Sequence, residues 1–150
     1  MRMTLSEKGS HIPPPTLNAP FQRLSEEIQS WPDIISATHW HFSGNGRVDG
    51  ADFYRGGEEL GHIHLDGEVH LATPPALTRA LIEAGLASPF RWASANDWVM
   101  YRIRSEADAR HAERLLRLAY DSLGGASEGE LLGAVSRMAQ EGKVDVHSAT

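Results

Sequence analysis

Three histidines and one glutamate surround an Asp-Gly turn in the segment ELGHIHLDGEVHL, which runs from Glu59 to Leu71. In an extended strand alternate side chains share a face, so His62 and His64 point the same way. Imidazole rings held close together bind divalent metals such as zinc, iron, manganese or nickel, and they also exchange protons near neutral pH. The segment therefore predicts either metal binding or acid–base chemistry.

The length of the turn decides whether His70 joins the other two rings. A two-residue loop, Asp66-Gly67, would place His70 and Glu68 among apolar side chains. A three-residue loop with Gly67 in the left-handed conformation pairs His62 with His70 and puts every polar group on one side. Because the hydrophobic pattern sets the register of a hairpin, we predict the second arrangement.

The patch formed by this hairpin supplies the candidate site residues. We expect His62 or His64 to act as a general base, with His70 and Glu68 orienting it, so the candidate catalytic residues are His62, His64 and His70. The same hairpin gives the candidate metal ligands, which are His62, His64, Glu68 and His70. The sequence leaves the cofactor open between none and a divalent metal. It also leaves open a solvated sheet face that is merely rich in histidine.

The flanking sequence predicts a sheet that holds the hairpin and helices that cover it. Short β-branched and aromatic runs between turn signals indicate strands, and apolar residues spaced three or four apart indicate helices. Helices are expected to begin near Pro20, Thr73, Ser105 and Ser127. The strands are expected in IISATHWHF, ADFYRGGEELGHIHL, EVHLA and WVMYRIR. We therefore predict an α+β fold with a mainly antiparallel sheet of about five strands and helices packed on one face.

The length of 150 residues is typical of one domain with a single core. We expect that domain to occupy residues 16–142. The stretch SHIPPP favours an extended polyproline conformation, so residues 1–15 are predicted to form a flexible leader. The residues after Gly142 are mostly polar and are predicted to form a flexible tail over residues 143–150.

The charge and the cysteine content exclude several classes of partner. The formal net charge is −6 and the fourteen Lys and Arg are scattered, so nucleic acid is not an expected partner. No stretch approaches the roughly 20 apolar residues of a membrane span, and no basic run would attract a membrane surface. The absence of cysteine excludes disulfides and Cys-ligated metal centres. We expect a cytoplasmic protein whose oligomeric state the sequence leaves open.

Two further pairs of residues lie on the predicted first strand and near the turn that follows it. His39 and His41 repeat the His-x-His spacing, and they would extend the patch if the first strand lay beside the hairpin. We interpret them as an exposed strand face. Asp49 lies in the turn cluster GNGRVDG and Asp52 comes just after it, and both are interpreted as turn residues.

Two arginines could recognise a small-molecule ligand. Arg102 and Arg104 alternate with Ile103 on the last strand, so both leave its apolar side. Guanidinium groups bind carboxylates and enolates well. We therefore expect Arg102 and Arg104, together with the acidic Glu68 of the hairpin, to contact a small aromatic or enol compound.

The stretch from Glu59 to about Tyr120 resembles the luciferase-domain family, which is named after fungal luciferases and also contains many bacterial proteins. Four segments carry the resemblance in order: ELGHIHLDGEVHL, PPALTRALIEAGLASPF, WVMYRIRSEADA and LLRLAY. The fungal enzymes are oxygenases that add O₂ to a hydroxypyrone luciferin. The resemblance therefore implies an oxidoreductase with His62, His64 and His70 at the substrate site, and with Glu59 and Arg102 or Arg104 as neighbours.

Two alternatives remain open. Gly56, His62, His64 and Glu68 fit the opening of the cupin metal motif, which would imply a divalent-metal-binding domain, although Pro75 stands where the motif closes with Gly. Too few strands are visible for the cupin barrel. The chain could also be a non-catalytic interaction module that docks through its helical face or through an exposed sheet.

Overall fold

A computed structural model describes Thr4 and residues 12–44, 46–91 and 96–148, the last six of these as backbone only. Six strands and four helices follow one another along this part of the chain. The strands are β1 (Ile34–Trp40), β2 (Val48–Arg55), β3 (Glu58–His64), β4 (Glu68–Ala72), β5 (Ser88–Pro89) and β6 (Trp98–Arg102). The helices are α1 (Phe21–Gln29), α2 (Pro75–Glu83), α3 (Glu106–Leu123) and α4 (Glu128–Ser148).

The strands form one open antiparallel sheet in the order β1-β2-β3-β4-β6-β5. The first four strands follow their chain order because short turns connect them, whereas α2 and β5 lie between β4 and its neighbour β6. The predicted α+β fold is confirmed, and the two-residue β5 is the strand that the sequence did not indicate. The cupin-like alternative is wrong in its fold, because this sheet does not close into a barrel.

One face of the sheet packs against the helices and forms the hydrophobic core. Alternate residues of the central strands are fully buried there, such as Ile63 and Val69, and they join Leu115 and Leu116 of α3 in the core cluster. A Cβ on Gly61 would lie 3.1 Å from Cδ2 of Leu116 and 2.5 Å from the carbonyl oxygen of His70. The absent side chain at residue 61 therefore lets α3 lie close against β3.

The helix starts agree with the capping signals in the sequence. Ser105 is the N-cap of α3, and its side chain accepts a hydrogen bond from the backbone N–H of Asp108. Ser127 accepts one from the backbone N–H of Glu130 at the start of α4. Among the described residues, no helix combines the length and the apolar character that crossing a membrane requires.

The predicted leader and tail stay predictions. Residues 1–3, 5–11, 149 and 150 lie outside the described residues. Of the remainder, Ile12 and Pro13 accept hydrogen bonds from the backbone N–H and the hydroxyl of Thr38 on β1. At the other end, α4 continues to Ser148, past the boundary drawn at residue 142.

Candidate functional site

The turn of the histidine hairpin has the three-residue form. His62 pairs with His70 and Ile63 with Val69 across β3 and β4, which confirms the predicted register. Gly67 has a φ of 92°, and its N–H donates to the carbonyl of His64 at 3.0 Å. Positive φ favours glycine, so Gly67 allows the register that puts His62 and His70 on one face.

A bulge in β3 brings Glu59 to the same face. The ladder between β2 and β3 skips Leu60, since Glu59 and Gly61 pair with consecutive residues of β2. Strict alternation would place Glu59 and His62 on opposite faces, because they are three residues apart. The extra residue reverses the alternation, and Oε2 of Glu59 lies 2.7 Å from Nδ1 of His62.

A second bulge, in β2, positions Asp49. The ladder between β1 and β2 skips this residue, since Val48 and Gly50 pair with consecutive residues of β1. Asp49 reaches across to β3, where its Oδ2 lies 2.8 Å from Nδ1 of His64. Both bulges therefore add a carboxylate to the histidine face, as bulges beside functional sites often do.

Gly50 lies between His39 and His64 in the register of the three strands β1, β2 and β3. A Cβ on Gly50 would lie 2.0 Å from the carbonyl oxygen of Ile63. With no side chain at residue 50, the two rings approach across β2 to a centroid distance of 5.0 Å.

Four imidazole rings meet at the centre of this face, and we call them the histidine cluster: His39, His62, His64 and His70. His39 stacks on His62 with ring centroids 4.0 Å apart. The centroids of His62 and His70 are 4.8 Å apart, and those of His64 and His70 are 4.5 Å apart. The first strand thus contributes a ring to the histidine side although β2 separates it from the hairpin, and our interpretation of His39 as part of an exposed face is wrong. His41 bonds Ser43 at the following turn.

Each ring of the cluster has one nitrogen on a carboxylate. The nitrogen–oxygen distances are 2.7 Å for His39 Nδ1 and Asp52, 2.7 Å for His62 Nδ1 and Glu59, 2.8 Å for His64 Nδ1 and Asp49, and 2.7 Å for His70 Nε2 and Glu68. An ionised carboxylate accepts hydrogen bonds but cannot donate, so the facing nitrogen carries the hydrogen. Each neutral ring is therefore held in one tautomer, with a lone pair on its second nitrogen.

The second nitrogens of three rings converge. Nδ1 of His70 lies 2.9 Å from Nε2 of His62 and 3.3 Å from Nε2 of His64. If all three rings are neutral, these facing nitrogens are all lone pairs, which repel one another at such distances. One ring must therefore carry a hydrogen on its facing nitrogen for these contacts to be hydrogen bonds.

Glu68 is held by three positive or hydrogen-bonding partners. Arg102 donates to its Oε2 at 2.5 Å, and Arg91 and His70 lie on its Oε1 at 2.7 Å each. Burial acts to raise the pKa of Glu68, but the bond from His70 and the two guanidinium charges outweigh it and hold the pKa below its usual value. Glu68 is therefore an ionised acceptor that fixes the ring of His70.

His70 is a buried imidazole. Burial lowers its pKa below the usual value for histidine, and the nearby carboxylate of Glu68 only partly offsets this effect. Its ring lies edge-on to Phe90, with centroids 5.0 Å apart. At neutral pH the neutral form of His70 is therefore favoured.

An aromatic wall adjoins the cluster. Trp98 lies 5.7 Å from the ring of His62 and 6.1 Å from the ring of Phe90, measured between centroids. Trp98 is 2% exposed, and its indole nitrogen has no hydrogen-bond partner among the described residues. A buried N–H without a partner is costly, so it marks a place where a ligand oxygen would be bound favourably.

The histidine face is not a solvated one. His62, His70 and Glu68 are each 8% exposed, and Asp52 is fully buried. Charged and polar groups are seldom buried this deeply unless they are paired. The burial therefore argues against a surface that is merely rich in histidine.

The structure gathers most of the predicted site residues. His62, His64, His70, Glu59 and Glu68 all belong to the bonded network described above. Arg102 joins it through Glu68, whereas the side chain of Arg104 is exposed. Both arginines line a cleft of about 340 Å³ beside Glu68, so an anionic ligand there would contact the outer end of the network and not the rings.

The sequence interpretation missed Asp52, which is not a turn residue. It lies inside β2, where its carboxylate accepts from His39 and from the hydroxyl of Tyr54, the latter at 3.1 Å. Burial raises the pKa of Tyr54, and the charge of Glu59 raises it further, so the hydroxyl stays protonated as a donor. The alternation Ala51-Asp52-Phe53 was the available signal, because it sets one acid between two core residues.

The comparison with known protein families gave a match that covers the histidine hairpin. The family model described as Luciferase domain matches residues 57–119. The match spans β3, β4, α2, β5, β6 and most of α3, and it includes the whole histidine hairpin. His39, Asp49 and Asp52 lie before it. Neither the curated proteins nor the solved structures gave a significant match. The resemblance seen in the sequence is therefore confirmed, and residues 57–119 of this chain are similar to the luciferase domain.

Proposed function

We propose that this protein is an enzyme that acts on a small aromatic or enol compound at the histidine cluster, as an oxygenase or a related oxidoreductase. The observation that carries the proposal is the fixed orientation of His70. Its Nε2 donates to Glu68, so its Nδ1 is a proton acceptor that faces the other rings. A proton acceptor held in this way is what a general base requires.

The surrounding groups support a role for His70 as the base, in place of His62 or His64. Glu68 accepts from His70, and two arginines restrain the carboxylate, so the ring cannot easily turn away. When His70 takes up a proton, the adjacent carboxylate stabilises the imidazolium that forms. Nδ1 of His70 already lies 2.9 Å from His62 and 3.3 Å from His64, so a bound compound would reach it beside these rings or exchange its proton through one of them.

The aromatic wall favours a flat ligand with a hydrogen-bond acceptor. Phe90 and Trp98 offer ring faces and edges beside His62 and His70. The indole N–H of Trp98 would donate to a carbonyl or enolate oxygen of the compound. Enols and hydroxypyrones combine a flat ring, an acidic hydroxyl and a carbonyl in one small molecule.

The reaction that the family resemblance implies can be written with these groups. His70 takes the hydroxyl proton of the enol, and the electron-rich carbon of the enolate forms a bond to O₂. Two electrons pass from that carbon to O₂, and the distal oxygen takes the proton back from His70. The product is a hydroperoxide with the mass of the substrate plus one O₂.

The experiment is O₂ consumption by the full chain with a panel of 4-hydroxy-2-pyrones and hydroxylated aromatic compounds, followed by mass spectrometry. We expect uptake with at least one member and a product gain of one O₂. His70→Gln should reduce the rate by about 100-fold or more, as expected for loss of a general base. His41→Gln is the matched control, because His41 bonds Ser43 outside the cluster, and it should leave the rate unchanged.

A non-catalytic interaction module predicts a histidine patch that is open to solvent. The burial of His62 and His70 favours the enzyme over that alternative. If no compound of the panel is consumed or bound, or if His70→Gln consumes O₂ as fast as the unaltered protein, the proposed function is wrong.

A further inference from the structure

We infer that His64 and Asp49 form a proton path between His70 and water. Nδ1 of His70 lies 3.3 Å from Nε2 of His64, and Nδ1 of His64 lies 2.8 Å from Oδ2 of Asp49. Histidine passes protons along such a chain because one ring nitrogen accepts a proton while the other releases one. The inference rests on the proposed function, since it describes how the base His70 loses and regains its proton.

The proton path ends at the surface of the protein. The side chain of Asp49 is 28% exposed and that of His64 is partly exposed, whereas His70 is buried. A proton on the carboxyl group of Asp49 therefore passes readily to water, while a proton on His70 has little direct contact with it. One of the facing ring nitrogens carries a hydrogen, and the path connects that hydrogen to water.

The second ring that faces His70 does not offer the same route. Nε2 of His62 lies 2.9 Å from Nδ1 of His70, and Nδ1 of His62 lies 2.7 Å from Glu59. The side chain of Glu59 is 6% exposed, so a proton that moved this way would reach a buried carboxylate. His62 is therefore positioned to share the proton with His70, and His64 is the ring that leads outward.

The carboxylate on the other nitrogen of His70 is a poor proton acceptor. Glu68 lies 2.7 Å from Nε2 of His70, and it also binds Arg91 and Arg102. The two guanidinium charges favour the ionised form of Glu68 and oppose its protonation. Asp49 carries no such pair of arginines in the part of the chain that the structure describes, so its carboxylate is the better exit.

Each step of the path moves a proton between two named atoms. When His70 carries hydrogens on both nitrogens, it donates the one on Nδ1 to Nε2 of His64. That contact is then a charge-assisted hydrogen bond, which is shorter than a neutral one. His64 releases the hydrogen of its own Nδ1 to Asp49, and the carboxyl group loses it to water. One proton that returns along the path restores the original tautomer of His64.

The backbone holds both groups of the path in place. Asp49 is the extra residue of the bulge in β2, and its carbonyl accepts a hydrogen bond from the N–H of Leu65 at 2.8 Å. The carbonyl of His64 accepts one from the N–H of Gly67 in the hairpin turn. The ring of His39 lies edge-on to that of His64, with centroids 5.0 Å apart. The carboxylate and the ring are therefore positioned before any proton moves.

The test measures proton exchange at His70 in the full chain, and it needs no substrate. Relaxation dispersion of ¹⁵N-labelled histidine rings gives the rate of exchange between neutral and charged His70, at the midpoint of its titration in each variant. We expect Asp49→Asn and His64→Gln to slow this exchange by about 10-fold or more, which corresponds to a barrier higher by about 1.4 kcal/mol. Asn still accepts the hydrogen bond from His64 but cannot take up a proton.

Added imidazole distinguishes a proton path from a structural effect. This small proton carrier should reach the partly exposed His64 and restore the exchange rate of His70 in Asp49→Asn, without changing the rate in the unaltered chain. Asp66→Asn is the matched control, because Asp66 is an exposed carboxylate of the same hairpin that faces Arg102. It should leave the exchange unchanged. Circular dichroism checks that each variant folds.

Unchanged exchange at His70 in Asp49→Asn and His64→Gln would overturn the inference. Slow exchange in Asp49→Asn that imidazole does not restore would also overturn it, because the effect would then be structural. The outcome is separate from the proposed function. Slowed exchange in the two variants without O₂ uptake by the unaltered chain would support the proton path and refute the oxygenase, and O₂ uptake with unchanged exchange would do the reverse.

Discussion

Asp49 and His64 are 15 residues apart in the sequence, and Oδ2 of Asp49 lies 2.8 Å from Nδ1 of His64. The contact crosses from β2 to β3 and exists because Asp49 is the extra residue of a bulge. Each of the other three rings in the histidine cluster also has one nitrogen at 2.7 Å from a carboxylate oxygen. The consequence is a buried polar network whose stability depends on the exact path of the backbone.

Gly50→Ala should destabilise the protein by about 3 kcal/mol, which is the upper part of the range for overpacked interiors. The new Cβ would lie 2.0 Å from the carbonyl oxygen of Ile63, so two strands must move apart. Urea denaturation measures the free energy of unfolding. Gly142→Ala is the control, since nothing lies within 4 Å of its Cβ position in α4, and it should be neutral or slightly stabilising. Equal effects of the two changes would contradict the packing argument.

Glu68→Gln should lower the free energy of unfolding by about 1–3 kcal/mol, the usual range for hydrogen bonds to charged groups. The change removes the negative charge that holds Arg102 and Arg91, and it replaces one of the two accepting oxygens with an NH2 group that faces a donor. Glu106→Gln is a suitable comparison, because its ion pair with Arg23 is exposed and should contribute less than about 1 kcal/mol. Chemical denaturation measures the free energy of unfolding of both variants. A larger loss of this free energy for Glu106→Gln than for Glu68→Gln would contradict the role described for Glu68.

The stability contributed by Asp108 should disappear in acid. The hydrogen bond from the backbone N–H of Arg104 lowers its pKa in the folded protein, and the hydroxyl of Tyr101 adds to the effect. A carboxyl with a depressed folded pKa stabilises the fold above its unfolded pKa of about 3.9, and this contribution is lost as the pH falls through the folded pKa.

Asp108→Asn should therefore be less stable than the unaltered chain at pH 7 by about 0.5–1 kcal/mol, as is typical of a carboxylate in the first turn of a helix. The gap between the two proteins should narrow as the pH falls below about 4. Thermal unfolding measured across this pH range provides the comparison. A gap that stays constant with pH would show that the charge of Asp108 is not responsible.

Ligand binding should be visible at Trp98. Its buried indole N–H has no partner among the described residues, so a bound hydroxypyrone that accepts from it should move its proton signal downfield. A ¹H–¹⁵N spectrum of the full chain follows the indole signals during titration, and Trp98→Phe assigns the signal. Trp31 packs against Tyr120 in the core and serves as the internal reference. Movement of the Trp31 signal alone would place the ligand elsewhere.

Much of the fold could be read from local patterns in the sequence. The α+β class, the capping residues of α3 and α4, and the paired register of His62 with His70 depend on alternation, helix caps and one Asp-Gly turn. These signals act over a few residues, and a single sequence contains them. These local signals were therefore enough to predict that one face carries four residues of the site: His62, His64, His70 and Glu68. The prediction did not require the positions of the other strands.

The rest of the site was decided only in the tertiary structure. Glu59 and Asp49 reach the rings through bulges at Leu60 and Asp49, which reverse the alternation and leave no clear mark in the residue types. His39 joins because β1 and β2 fold back onto the hairpin, with a glycine between the rings. Neighbouring strands, bulges and burial are long-range properties, since each depends on which segments pack together. One sequence therefore indicates the hairpin histidines and Glu68 but not the roles of His39, Asp49 and Asp52.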